Sequence, residues 1–167
     1  MKSILAIILL SCAAMAQNDA AIDKAKSACG PGRVHFDVEA TDYTESITQP
    51  ASGKALVYVI AEGQITARIG LNGDWAGAVE GDSHLSFPVD PGEHHVCASW
   101  QSIFLKGNKV VALSSFTAEA GKVYYFRVRA TIQGKNAPAL LDMDPINSDQ
   151  GRYMVLKSKI SESHAKK

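Results

Sequence analysis

The side chains able to do chemistry in this chain fall into a few small groups. His84, His94 and His95 offer imidazoles of the kind that ligate zinc or copper. Adjacent strand residues point to opposite faces, so His94 and His95 reach one ion only across a bulge; polar positions beside the Pro91-Gly92 turn explain them equally well. Asp142, Asp144, Asn147 and Asp149 form an oxygen-rich run suited to Ca²⁺, without the glycine and terminal bidentate Glu of a calcium loop. Helix capping and loop solvation account for the same residues. Cys97 lies two positions from His95 and shares its strand face, the minimum for a thiol nucleophile, but a disulfide at Cys97 would remove it.

No Gly-x-Ser-x-Gly elbow, phosphate loop, dinucleotide fingerprint or His-Glu-x-x-His run is present. The expectation is a protein that is not an enzyme and has no assigned cofactor or metal. Trp75 is of a different kind. It follows the Asn72-Gly73 turn beside Gly77 and Ala78, where an indole either contacts a glycan, peptide or cell-wall polymer or packs across its hairpin into the core. Arg127 and Arg129 face solvent in the register argued below and join Trp75 as candidate ligand contacts.

The elements that must position these groups are strands. Asn72-Gly73 supplies the positive-φ pair of a tight hairpin, and Gly81-Asp82 and Pro91-Gly92 make the next two turns. Leu85, Phe87 and Val89 alternate with His84, Ser86 and Pro88, the period of a strand with one buried face. Residues 54–61 are apolar on both faces, which predicts a central strand. A first strand is expected over 33–39 and an apolar patch at Ile103-Phe104-Leu105. Residues 110–119 and 122–131 read as a hairpin about Ala120-Gly121, with Tyr124, Phe126 and Val128 inward. A last strand over 139–143 precedes a helix capped by Asn147 or Ser148 and running to about Lys157. Eight or nine short strands with frequent Gly/Pro turns and one helix favour a sandwich over a barrel or an α/β fold.

A chain of 167 residues suits one domain of ordinary size. Seventeen basic residues balance seventeen acidic ones, and removing a leader that contains only Lys2 leaves a net charge of about −1. A nucleic-acid partner would lack the electrostatic attraction that dominates such binding. Residues 1–16 have the parts of a secretory signal: Lys2, an apolar run over 4–10, and Ala14-Met15-Ala16 before Gln17. Leu9-Leu10-Ser11-Cys12 also resembles a lipobox, in which Cys12 would carry the lipid that tethers the domain to a membrane. Cleavage after Ala16 leaves Cys29 and Cys97, an even pair in an oxidising compartment, so a disulfide is expected, with two buried free thiols as the alternative. The bond would close 68 positions and stabilise the chain by about 4 kcal/mol through loop entropy.

Gly73-Asp74-Trp75-Ala76-Gly77, Leu85-Ser86-Phe87 and the run from Val89 through Pro91-Gly92-Glu93-His94-His95 to Val96 resemble the turn-and-strand signature of PEGA-type β-sandwich modules. With residues 55–60 before and 118–125 after, their order is similar to that of the bacterial family called domain of unknown function twenty-eight forty-six, over about residues 54–156. The resemblance implies a small exported or lipid-anchored bacterial protein and carries no catalytic residue over.

The expectation is therefore an all-β, Ig-like or PEGA-like antiparallel β-sandwich with one short C-terminal helix. Its organisation is a signal peptide at 1–16, a lead-in at 17–32, the sandwich at 33–157 and a polar, mobile tail at 158–167. In function it is a secreted or periplasmic binding protein or structural accessory of the cell envelope, its partner an envelope protein, a glycan or peptidoglycan. The alternatives are a Ca, Zn or Cu-binding extracytoplasmic protein and a lipoprotein anchored through Cys12.

Overall fold

Alternation of apolar and polar side chains, punctuated by Gly and Pro, produces ten strands and one helix among the described residues of the computed structural model, which are 27–32, 34–42, 47–101, 110–132 and 139–166. In chain order they are β1 (Phe36–Thr41), β2 (Ala55–Glu62), β3 (Thr66–Leu71), β4 (Asp74–Glu80), β5 (Ser83–Val89), β6 (Gly92–Trp100), β7 (Val111–Ala118), β8 (Val123–Ile132), β9 (Ala139–Ile146), α1 (Ser148–Lys157) and β10 (Lys159–Ala165). The leader, Cys12, most of the lead-in, the Ile103-Phe104-Leu105 patch and the 133–138 loop lie outside the described residues.

The strands form two layers. One is six-stranded in the order β1-β10-β5-β2-β8-β9, the other four-stranded in the order β4-β3-β6-β7. This is the expected all-β sandwich, with two parallel pairings, β2 with β8 and β10 with β5, among otherwise antiparallel ones. Val57 and Val59 of β2 meet Ile69, Val79, Val96, Phe126 and Val128 in the core between the sheets. β2 is central, as its two apolar faces require. Leu56, Tyr58 and Ile60 point outward and are buried with Tyr125 beneath Val155 of α1.

Asn147 caps α1 by accepting the Gln150 N–H at 2.9 Å. Gly151 costs helix propensity, but its position against the Tyr125 ring leaves no room for a Cβ, so the helix seats directly on the sheet.

Four sequence expectations are corrected. The first strand starts at Phe36 rather than residue 33, because the Val34 carbonyl is taken by Arg68 (3.0 Å) and Phe36 exchanges both backbone groups with the Gln101 amide (2.8 and 2.7 Å). The last strand before the helix runs on to Ile146. β9 is a sheet edge, where Pro145, lacking an N–H, is tolerated. Strands β7 and β8 are not a hairpin. The chain crosses at Ala120-Gly121 from one sheet to the other, and β8 pairs with β2 instead. The segment expected as a mobile tail contains β10, paired along its length with β1.

Strand β10 closes one side of the sandwich. Its inward side chains are serines, and they satisfy the open backbone edge of β4: Ala78 N–H donates to Ser163 Oγ (2.9 Å) and Glu80 N–H to Ser161 Oγ (3.3 Å). An edge strand so covered cannot pair with a second chain.

On the opposite side of the four-stranded sheet, residues 27–32 lie across β3 and β6, held by the Cys29–Cys97 disulfide with the two Cα atoms 5.1 Å apart. Gly70 makes the approach feasible. A Cβ there would stand 2.6 Å from the Ala28 carbonyl oxygen.

Candidate functional site

The chemistry-bearing residues singled out in the sequence are dispersed by the fold, and most are occupied within it. His94 and His95 point to opposite faces of β6. His94 is buried against Phe116, with ring centroids 5.5 Å apart. The Asn72 side-chain oxygen accepts the His95 N–H, so its amide nitrogen donates to His94 Nδ1 (2.8 Å) and leaves His94 Nε2 to donate to the Asp90 carbonyl (2.7 Å). His95 faces Glu93 at 3.2 Å on the outer side. His84 lies on the other sheet, its Nδ1 2.8 Å from Ser158 Oγ, which in turn donates to the Val155 carbonyl. Burial pushes the His84 ring down to about 4 from its ordinary 6.5.

The acidic run is divided in the same way. Asp142 and Asp144 flank Arg127 and Arg129 across the β8–β9 ladder. Arg129 reaches Asp144 at 3.3 Å and Asp142 at 3.8 Å, and Arg127 reaches Asp144 at 3.5 Å and Glu62 at 3.9 Å. The two arginines face outward as expected, but half-buried among carboxylates rather than free in solvent. Asn147 is committed to the helix cap and Asp149 sits in the first turn of α1. Among the described residues no group of three or more His, Cys, Asp or Glu is placed to hold a metal ion.

Trp75 is covered. Gly30 packs on its ring, its Nε1 donates to the Pro31 carbonyl (3.1 Å), and the Arg68 guanidinium lies 5.0 Å from the ring centroid. Its partner is the stapled lead-in, neither the core nor an open surface. Arg68, not singled out in the sequence, is only 3% exposed and ties the lead-in to the sheet through Val34 and Ser99.

Among the described residues the fold leaves open a cleft at one end of the sandwich, built on two turns. Gly63 follows β2, and Gly81-Asp82 carries the chain from β4 in one sheet to β5 in the other. Asp82 locks them together: its Oδ1 accepts the Gly63 N–H (3.3 Å), its own N–H donates to the Ala61 carbonyl (3.1 Å), and its carbonyl accepts the Lys159 N–H (3.0 Å). The result is a ridge with a cavity on each side, Asp82 lining both.

The larger cavity, about 660 Å³, has Ile65 and the Trp100 ring as apolar surface and His35, Gln64 and Glu80 as polar groups. The side chains of His35, Gln64 and Glu80 make no hydrogen bond to any described residue. The smaller, about 370 Å³, lies between Ile60 and Glu62 of β2 and Tyr153, Met154 and Lys157 of α1. Tyr153 is 65% exposed there. The larger cavity lies within the range of about 300–1,000 Å³ usual for small-molecule sites, and its lining is as much polar as apolar.

The sequence marks none of these cleft residues as functional, and Gly81-Asp82 only as a turn. They come from separate turns, a strand end and a helix, and only the sheet-to-sheet crossing at Gly81-Asp82 brings them together. No family model, curated protein or solved structure matches the chain.

Proposed function

We propose that this chain is an exported binding module of the bacterial envelope, acting without catalysis through the cleft beside Asp82. The observation that carries the reading is a contrast in how polar groups are used. His84, His94, His95, Cys29, Cys97, Arg127 and Arg129 are bonded or ion-paired within the fold, whereas Gln64, Glu80 and His35 line a roomy cleft with no internal partner among the described residues. Idle polar groups beside an aromatic wall suit recognition of a ligand.

The disulfide supports an oxidising compartment. Among the described residues no helix is long and apolar enough to cross a membrane. The similarity to the family called domain of unknown function twenty-eight forty-six belongs to the same proposal, as does cleavage after Ala16.

The test uses the oxidised protein spanning residues 17–167. It is incubated with purified peptidoglycan sacculi, soluble envelope glycans and envelope proteins, and assayed in parallel for turnover on a broad hydrolase panel. Saturable capture of one of these with no turnover is expected. Turnover, or no capture of any of them, would overturn the proposal.

A further inference from the structure

The cleft is more specific than its volume. Its two cavities meet at one ridge and each presents an aromatic ring: Trp100, with an indole N–H that has no bonding partner among the described residues, and Tyr153 on α1. Gln64 and Glu80 line the first cavity, Glu62 the second and Asp82 both, and they supply amide and carboxylate groups.

This pairing of flat apolar rings with hydrogen-bonding side chains fits a ligand that alternates the same two properties. A pyranose does so, with one face of C–H bonds that lies against an aromatic ring and a rim of hydroxyls that bonds to amides and carboxylates. A single sugar ring would fill only one of the two cavities, and only in part. Two cavities sharing one ridge call for a chain of several.

Charge narrows the class further. Asp82 lines both cavities, Glu80 the larger, and Glu62 and Lys157 the smaller; Glu62 is paired with Arg127 at 3.9 Å, which leaves Glu80 and Asp82 against Lys157, a local excess of negative charge apart from His35. A polyanionic chain such as a polyuronate would set like charges together in a partly desolvated site, which costs binding free energy.

We infer that the cleft binds a linear saccharide of neutral or amino-bearing sugars, lying across Asp82 with one segment on Trp100 and another on Tyr153. This inference rests on the binding reading above and names the ligand class for the same site.

The probes are a linear hexamer of N-acetylglucosamine, the free monosaccharide, and polygalacturonate as the anionic chain. Each is titrated calorimetrically into the wild type and into Tyr153→Ala, Gln64→Ala and Ser115→Ala. The first two positions are exposed on a helix and a turn, so neither change disturbs the core; Ser115 is an exposed residue of β7 away from the cleft. The hexamer is expected to bind at least about tenfold more tightly than the monosaccharide and the polyanion. Tyr153→Ala and Gln64→Ala should each weaken it about tenfold, with Ser115→Ala unchanged.

Equal affinity for monosaccharide and hexamer overturns the two-segment site, and equal or tighter binding of polygalacturonate overturns the charge argument. A hexamer affinity indifferent to Tyr153→Ala and Gln64→Ala places binding elsewhere and refutes the inference. No saccharide binding by a protein that still captures an envelope protein refutes the ligand class while the binding reading stands. No capture of anything ends both.

Discussion

His84 is where a single side chain ties stability to pH. Its ring is 3% exposed, packed edge-on to Tyr58 at 5.6 Å and bonded to Ser158, the residue that ends α1 and leads into β10. Burial lowers the folded-state pKa to about 4, against the ordinary 6.5 that the ring keeps in the unfolded chain. The unfolded state therefore takes up the proton first. The neutral ring's contribution is complete above about 6.5, falls as pH drops toward 4 and loses nothing more below that. An upper bound on the loss is about 3 kcal/mol. Urea unfolding at pH 7 and pH 4.5 should show a larger acid loss for the wild type than for His84→Gln. An equal loss in both would contradict this assignment. Residue types with local rules were the readable ones: Asn72 and Gly73 take positive φ as their turn demands, and Asn147 caps the helix as its place before α1 suggests. His84 carried no such rule, since its burial depends on a helix and a strand more than sixty residues away.

At the scale of elements, β10 decides whether the sandwich has an open side. Removing the hydroxyls with the double variant Ser161→Ala/Ser163→Ala leaves the Ala78 and Glu80 N–H groups without acceptors at a covered edge, at about 1–3 kcal/mol each. The expected result is a lower unfolding midpoint together with faster amide exchange at Ala78 and Glu80. A fall in midpoint with those two amides still fully protected would show that the serines do something else. Such a strand was illegible in the sequence. Period-2 reading looks for apolar side chains on the inner face, and β10 presents Ser161 and Ser163 there because its neighbour is a backbone edge rather than a core. The crossing between β7 and β8 was misread for a related reason. Ala120-Gly121 has the same turn chemistry whether the next strand pairs locally or changes sheet, and pairing with β2, more than sixty residues earlier, leaves no local trace. β2 was readable because apolar residues on both faces mean burial on both faces, which the core and α1 provide.

For the whole molecule, the disulfide joins the lead-in to β6 across 68 positions and holds residues 27–32 and Val34 over Gly70, Arg68 and Trp75. Reduction should lower stability by up to about 4 kcal/mol through loop entropy and uncover the Trp75 indole. Chemical unfolding with and without reductant, followed by tryptophan emission, checks both; an unchanged midpoint would show that packing alone holds the lead-in. This staple was legible from the even pair of cysteines left after the expected leader, and the sandwich from strand grammar. The cleft was not, because its side chains come from residues as far apart as His35 and Tyr153 and converge only once two sheets and a helix are assembled.

That convergence is the central claim, and photo-cross-linking in the intact envelope tests it most directly. A photo-activatable phenylalanine analogue is placed at Gln64 in the cleft and, as control, at Thr117, which pairs with Glu93 at the other end of β6. Adducts formed at position 64 and absent at position 117 are the predicted result. Adducts at 117 alone, or none at 64 in correctly exported and oxidised protein, would contradict it.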